Sequence, residues 1–327
     1  MQWTLFFQCI IIGLATGSLI ALIALGYTLV YGIIELINFA HGEVFMMGAM
    51  FAATIVGISS VTRDSSAFAI VGVLLIALVG SMVFSALLNA GIDRVAYKRL
   101  RHAPRLAPLI AAIGMSFILQ NIAIYWKGAN PITPEQIIPI DFLTYNLLQE
   151  WPILRDLFEG SLLRLMARDA VIIGITIPLL FGMSWFVYRT RIGTAMRATA
   201  QDREAAALMG IDINRTIGVA FILGGALAGA AGMVALFYNN SARFQMGFQY
   251  GLFAFTAAVL GGIGNLTGAV LGGYIIGLIW ALSDGWAPVI VSGWGAQWTN
   301  TVIFSILILV LVFRPAGILG RATTEKV

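Results

Sequence analysis

The residue types that carry most enzyme chemistry are scarce in this sequence, and their spacing fits none of the common catalytic sites. The three lysines are Lys98, Lys127 and Lys326, and none follows a glycine, so a phosphate-binding P-loop cannot form. His41 and His102 have no Gly-x-Ser-x-Gly turn beside them, and two histidines so far apart are too few for a metal cage. We therefore predict no catalytic residues, no metal site and no cofactor in this chain.

Ion-coupled transport is a second kind of chemistry, and it usually needs charged side chains within the membrane. The apolar runs of this sequence contain no Lys, Arg or His, and the one carboxylate beside them is Glu43, at the edge of the second run. This pattern argues against a proton relay. A sodium ion held by backbone carbonyls at a helix break stays open as an alternative.

The segment 191–211 has the pattern of a short helix that contacts another protein. Asp202 is placed to cap this helix, residues 205–209 are good helix formers, and Gly210 is placed to end it in a left-handed conformation. Its alanines predict a smooth apolar face that fits a groove on a partner. The alternative is a bare connector that lies at the membrane surface.

Two breaks in the apolar pattern are candidates for the path of a transported solute. They contain Asn38, His41 and Gly42 in the first break, and Gly262, Gly264 and Asn265 in the second. Broken helices at membrane depth are tolerated where they line protein or a watery cavity, and their exposed backbone dipoles can receive a zwitterion. We predict that these residues line the translocation path. The alternative makes both breaks ordinary cytoplasmic turns, with His41 as a structural hydrogen-bonding residue.

The composition of the chain indicates what kind of structure holds these candidate residues. The chain has 327 residues, of which 60% are hydrophobic and 10% are charged, whereas about a quarter of the residues of a soluble domain are charged. With a mean hydropathy of +0.93, the chain has more apolar side chain than one globular core could bury. The composition therefore indicates a membrane protein.

Nine apolar runs approach the length of a membrane span, which is about 20 residues. They are Leu5–Gly32, Val44–Ile58, Phe68–Leu88, Ala107–Trp126, Ala170–Tyr188, Ile217–Tyr238, Gly247–Leu260, Thr267–Leu282 and Thr301–Phe313. Barrel strands would alternate apolar and polar residues, and these runs are continuously apolar. We predict an all-α, polytopic membrane helix bundle with about nine spans, forming one transmembrane domain over residues 1–327.

Glycines at four-residue spacing predict that these helices pack closely, because small residues let helix backbones approach in lipid. The pairs are Gly13 and Gly17, Gly225 and Gly229, Gly268 and Gly272, and Gly273 and Gly277.

Orientation is predicted from the cationic residues. Of the 19 Lys and Arg residues, five lie in 91–106, five in 189–216 and three in the tail from Arg314. The positive-inside rule makes these segments cytoplasmic, with the N-terminus outside and the C-terminus inside. The residues 127–169 then form an external loop, whose prolines and acids fit an ordered cap or a docking surface. A variable connector without function is the alternative for this loop.

The residues Glu204-Ala205-Ala206, followed after three residues by Gly210, resemble the EAA-x3-G loop of permease subunits in bacterial ATP-binding-cassette importers. The isoleucine and leucine-proline ending of that loop is missing, because residues 220–222 are Ala-Phe-Ile. The stretches 37–43, 197–211 and 259–268 together resemble the LivH-type permeases of branched-chain amino-acid importers. This resemblance runs from the first span to residues 314–317.

The resemblance implies a permease subunit in a bacterial plasma membrane, with no ATPase site of its own. Its partners would be a second homologous permease, two ATPases that hold ATP and Mg, and an external solute-binding protein. Residues 189–216 would be the cytoplasmic coupling loop, in which the coupling residues would be Arg197, Asp202, Glu204, Ala205 and Gly210. Branched-chain or other apolar amino acids are the implied substrates. The alternatives are a urea or short-amide importer permease and, in another class, an ion-coupled secondary carrier or channel.

Overall fold

The structure is a computed structural model, and it describes residues 2–34, 38–101, 103–104, 106–135, 137–138, 142, 145–150 and 163–320. His102, much of the loop 127–169 and the last two cations of the tail lie outside the described residues. The main helices are α1 (Gln2–Ile34), α2 (Ala40–Ile58), α3 (Ala67–Ile92), α4 (Leu106–Lys127), α5 (Ala167–Arg189), α6 (Arg191–Gln201), α7 (Arg203–Leu208), α8 (Ile213–Asn239), α9 (Met246–Gly261), α10 (Leu266–Ala281) and α11 (Ala296–Phe313).

Five shorter helical elements also lie in the described residues. A π-helical turn, Asp93–Tyr97, and the turn Lys98–Leu100 extend α3, while the π-helical turn Leu282–Trp286 and Ala287–Ile290 extend α10. A single turn, Leu147–Glu150, lies between α4 and α5. Within the described residues, the β structure consists of two isolated bridges, Ile132 with Ala242 and Asn146 with Met166.

Seven helical stretches of the described residues are long and apolar enough to cross a membrane. Two more, Met246–Gly261 and Gln297–Phe313, are apolar but shorter. This pattern confirms an all-helical, polytopic bundle. Each of the nine predicted runs coincides with one of these nine helices. Of the three runs that are short in the sequence, the second forms a helix long enough to span, and the seventh and ninth form the two shorter helices.

Several boundaries predicted at charged residues are wrong. The second run begins at Ala40 and not at Val44, so that His41 and Glu43 lie within the helix. The third run continues past Leu88 to Leu100. A charge can lie inside these helices because it finds a partner there: the Asp93 carboxylate accepts hydrogen bonds of 2.7 and 2.9 Å from Arg101.

Contacts between distant segments gather the cationic segments at one end of the bundle, which we call the basic end. This end carries residues 93–101, α6, α7 and residues 314–320. The Arg101 guanidinium donates to the Asn214 side chain at the start of α8, and the Arg203 guanidinium donates to the last turn of α1. At the opposite end, the backbone of Ile132 pairs with that of Ala242. The basic segments therefore share one side, as the topology prediction requires.

Glycines make the helix crossings close, as predicted from their spacing. A Cβ atom added at Gly229 of α8 would overlap the Ser81 carbonyl of α3 and lie 2.9 Å from the Ser85 Cβ. The glycine pairs of α1 and α10 face each other in the same way, so that Gly277 has no room for a side chain beside Gly17. In lipid such close approach replaces the hydrophobic effect as the force between helices.

The start of α2 lies inside the bundle rather than at its surface. His41 is fully buried, and its imidazole packs against Gly26, where an added Cβ would lie 2.5 Å from Nε2. Gly26 is eight residues before the end of α1, which places it about 12 Å along the axis from the basic end. His41 therefore lies in the core at the start of α2, where small residues of α1 and α8 make room for it.

Candidate coupling and transport sites

The short helix α7 has the capped geometry that its sequence predicts. The Asp202 carboxylate accepts a hydrogen bond of 3.0 Å from the Ala205 amide at its start. At its end Gly210 has a φ of +83°, the Gly210 amide donates to the Ala207 carbonyl at 3.0 Å, and the Ile211 amide donates to the Ala206 carbonyl at 3.1 Å. This pair of bonds is a Schellman motif, which ends a helix at a left-handed glycine.

The exposed side of α7 offers an apolar tip with an acid beside it. Leu208 and Met209 are 89% and 83% exposed, and Glu204 and Ala205 are also exposed, whereas Ala206 points into the protein. The alanine face predicted as the contact surface is therefore only partly outward, and the large apolar side chains at its end add to it. Two adjacent exposed apolar side chains at the end of a short helix fit a contact with a groove on a partner protein.

Arg197 lies apart from the other predicted coupling residues, on the preceding helix α6. Its guanidinium lies over the Tyr188 ring, 5.4 Å from the ring centroid, and it contacts the Thr194 hydroxyl at 3.3 Å. Asp202, Glu204, Ala205 and Gly210 are brought together on one helix, and Arg197 fixes α6 against the end of α5.

Arg203 is a functional candidate that sequence reasoning missed. Its guanidinium donates two hydrogen bonds to the Ile33 carbonyl, from Nε at 3.1 Å and from Nη2 at 2.7 Å. Ile33 is in the last turn of α1, where carbonyls lack helical partners and favour a cation. No local pattern could identify a backbone acceptor 170 residues away. Arg203 thus joins α7 directly to α1.

Replacing Arg203 by alanine should weaken the link between α7 and α1. The buried Ile33 carbonyl would lose a charged partner, which costs about 1–3 kcal/mol, and we expect solute uptake per ATP hydrolysed to fall several-fold in reconstituted vesicles. Arg203→Lys should have an intermediate effect, because an ammonium cannot make the two-pronged contact. The matched control is Arg215→Ala, at an exposed arginine of α8. Equal uptake in Arg203→Ala and Arg215→Ala would contradict this role.

The residues of the first predicted break are held tightly in the core. Asn38 is buried, and its Oδ1 accepts a hydrogen bond of 2.9 Å from the Tyr97 hydroxyl. The His41 ring meets the Tyr27 ring edge to face, with 4.7 Å between centroids. A Cβ at Gly42 would overlap the Gly247 carbonyl of α9. These contacts fix the place where α2 begins within the bundle.

The second predicted break is a tight turn covered by the chain after α11. Gly262 and Gly264 have φ values of +104° and +90°, and the Asn265 side chain caps α10 by accepting from the Gly268 amide at 3.0 Å. Its Nδ2 donates to the Leu319 carbonyl at 2.8 Å, and the Ile318 amide donates to the Leu260 carbonyl at 2.8 Å. These contacts favour the alternative of a structural turn for Gly262, Gly264 and Asn265, and their place in a transport path stays a prediction.

A polar cluster that the sequence did not mark lies beside the start of α2. The fully buried Glu43 accepts hydrogen bonds at Oε1 from the Ser116 hydroxyl, at 3.1 Å, and from the Gln120 amide, at 2.8 Å. A cavity of about 440 Å³ opens next to it, between α4 and α9. None of the six residues predicted for the path is among its lining residues, which are Phe39, Ile113, Ser116, Phe117, Gln120, Gln245, Phe248 and Leu252. The spacing of 73 and 77 residues between the cluster's members hides it from any local motif.

A bundle of long apolar helices with a capped, outward helix at its basic end defines a multi-pass membrane protein of the permease type. The family model described as branched-chain amino acid transport system / permease component matches residues 9–312. The chain therefore belongs to this family, as its EAA-like segment indicates, and is the permease subunit of an ATP-binding-cassette importer.

Relatives match along almost the whole chain. The high-affinity branched-chain amino acid transport system permease protein BraD of Pseudomonas aeruginosa is 39% identical over 323 residues, which cover 98% of each chain. The protein LivH of Escherichia coli K12, with the same description, is 36% identical over 100% of this chain and 99% of its own. A probable branched-chain amino acid transport permease protein LivH of Methanocaldococcus jannaschii is 28% identical over 93% of this chain. No solved structure matches the chain.

Proposed function

We propose that this chain carries branched-chain or other apolar amino acids across a bacterial plasma membrane, as one of two homologous, non-identical permease subunits. The names of its full-length relatives support this substrate class. The observation that carries the proposal is α7, a capped helix at the basic end with Leu208 and Met209 exposed at its tip. Such a helix suits insertion into a groove of a partner protein.

The proposed topology has nine spans, with the N-terminus outside and the C-terminus in the cytoplasm. The common side of the cationic segments supports it, through the positive-inside rule. The short helix α9 then crosses where neighbouring helices shield it, whereas most of α11 faces outward from the bundle. In this arrangement residues 127–169 face outward, where they offer a surface to a solute-binding protein that delivers the substrate.

Energy enters at α6 and α7 in this proposal. Two partner ATPases bind ATP and Mg. One binds the coupling loop 189–216 of this chain, and the other binds the corresponding loop of the second permease. The candidate residues are Arg197, Asp202, Glu204, Ala205 and Gly210. Movement of α7 reaches α1 through the paired hydrogen bonds of Arg203, and it reaches α8 through the short connection at residues 209–212. A shift of α1 and α8 together would tilt the core and exchange access between the two sides.

The experiment that tests this function is uptake by the reconstituted assembly. Purification of the tagged chain from its native membranes in a gentle detergent should yield two permeases and two ATPases, identified by mass spectrometry. Proteoliposomes of this complex, with the binding protein outside, should accumulate radiolabelled leucine only when ATP is enclosed with the ATPases. Uptake by the purified chain alone along a sodium or proton gradient would overturn the proposal, and uptake of urea in place of leucine would overturn its substrate.

A further inference from the structure

The carboxyl group of Glu43 is placed as part of a binding site rather than as a helix-surface charge. Glu43 is fully buried among α2, α4 and α9. Gly247 of α9 makes room for it, since an added Cβ would overlap its Oε2 atom. This oxygen has no hydrogen-bond partner among the described residues. A buried carboxyl group with one oxygen unpartnered is costly and rare in a membrane helix, and such a group is usually retained for function.

The depth of the cluster supports a binding role. Ser116 is ten residues beyond the first residue of α4, so it lies about 15 Å along the helix axis, half the thickness of a hydrocarbon core of about 30 Å. Transporters commonly bind their solutes near this midplane. The neighbouring cavity, at about 440 Å³, is within the range of roughly 300–1,000 Å³ that small-ligand pockets occupy.

The direction of the hydrogen bonds determines which ligand the cavity fits. The Gln120 amide donates to the Oε1 atom of Glu43, and when Glu43 is ionised the Ser116 hydroxyl also donates to this oxygen. The oxygen lone pairs of both side chains remain for the cavity that they line. The oxygens of Ser116 and Gln120 therefore face the cavity as acceptors, and the negative charge of the Glu43 carboxylate lies behind them. This arrangement favours a cationic donor such as an ammonium group. Apolar side chains, among them Phe117, Phe248 and Leu252, form most of the remaining wall.

We propose that this cavity is a binding site for the transported α-amino acid halfway across the membrane. The ammonium group of the zwitterion is held by the oxygens of Ser116 and Gln120, with Glu43 as the positioning residue that supplies the charge. The apolar side chain of the bound amino acid lies against Phe117, Phe248 and Leu252. This inference rests on the proposed function, because it names the place where the amino acid is recognised. A labelling measurement that requires no transport can test it separately.

Cysteine labelling measures the charge preference of the cavity directly. Cys9 is the single cysteine of the chain, so Cys9→Ser gives a background in which Ile113→Cys, on the cavity wall, is the only thiol of this subunit. The reconstituted complex is treated with a trimethylammonium-ethyl or a sulfonato-ethyl methanethiosulfonate, and each rate is divided by the rate with a free thiol. We expect the cationic reagent to be favoured by at least about tenfold, a factor that a single charge several ångströms away can supply. Adding Glu43→Gln should bring the ratio close to one.

The control position is Tyr125→Cys, at the far end of α4 and 95% exposed, where Glu43→Gln should leave the ratio unchanged. Leucine should slow the labelling of Ile113→Cys, whereas 4-methylpentanoate, which has the same side chain without the ammonium group, should not. Ser116→Ala should reduce the protection by leucine several-fold and keep the charge preference. The protection experiment needs no substitution at Glu43. It therefore tests the binding site even if the Glu43→Gln variant fails to assemble.

Three results would overturn the site: no charge preference at Ile113→Cys, a preference that Glu43→Gln leaves intact, or equal protection by leucine and 4-methylpentanoate. Failure of both reagents to reach Ile113→Cys, with Tyr125→Cys labelled, would also overturn it, because the cavity would be closed to dissolved solutes. Leucine uptake is measured on the same vesicles. Uptake without charge preference rejects the site alone, and a charge preference without uptake of any amino acid rejects the proposed function.

Discussion

Replacing Gly210 by valine should reduce solute uptake at least about tenfold while the protein still inserts and the ATPases still turn over. Gly210 ends α7 with a φ of +83°, a conformation that costs an ordinary L residue about 1–2 kcal/mol and a β-branched residue more. An added Cβ would meet no atom within 4 Å, so the effect would come from the backbone and not from crowding. The end of α7, with Leu208 and Met209, would no longer keep its shape. The measurement is ATP-driven uptake alongside ATP hydrolysis in proteoliposomes.

The matched control for this change is Gly210→Asn. Asparagine adopts the left-handed conformation far more readily than valine, so most of the uptake should be retained. The comparison separates the shape of the helix end from the loss of glycine itself. Equal loss of uptake in both variants, or normal uptake with valine, would contradict a role for this turn in coupling.

Replacing Gly229 by alanine should destabilise the folded bundle strongly, although the change adds only one methyl group. Gly229 lies where α8 crosses α2 and α3, and its Cβ would overlap the Ser81 carbonyl oxygen. Backbone atoms cannot move aside as a flexible side chain does, so we expect a loss of about 1–3 kcal/mol in the free energy of unfolding. The midpoint of unfolding in a titration with sodium dodecyl sulfate, followed by circular dichroism, measures this loss.

Gly218→Ala is the control for that substitution on the same helix. No atom lies within 4 Å of its added Cβ, and alanine is the better helix former by up to about 1 kcal/mol. This variant should therefore be as stable as the wild-type protein or slightly more stable. A Gly229→Ala protein that unfolds at the same midpoint as Gly218→Ala would show that the crossing tolerates a wider separation.

The sequence predicts those features of the protein that depend on neighbours in the chain. The cap at Asp202 and the left-handed Gly210 follow from residues within one turn of α7, and the structure contains both. Continuous apolar runs likewise predict helices, since the pattern reflects the solvent around each segment. The glycine spacing predicts close crossings, because small residues one turn apart let another helix approach. It does not identify which helices meet.

What the sequence did not predict depends on pairs of distant residues. Glu43 marks the end of a run in the sequence because charges are rare in lipid, yet its partners Ser116 and Gln120 allow it to be buried. Arg203 could be recognised only as a cation near a short helix, because its partner is a carbonyl of α1. The break at Asn265 is visible in the sequence, but its cover by residues 317–320 is not. In each case tertiary contacts satisfy a group that looks costly or free when it is read alone.

The fold-back of the chain after α11 decides where the polypeptide can be cut or extended. Residues 318 and 319 donate backbone hydrogen bonds to Leu260 and Gly261. A side chain at Gly317 would overlap Gly262, and one at Gly262 would overlap Gly320. An affinity handle or a fluorescent fusion therefore belongs beyond Gly320, where it leaves these bonds in place. A truncation before that residue would expose the turn between α9 and α10. Expression trials should therefore keep all residues up to Gly320.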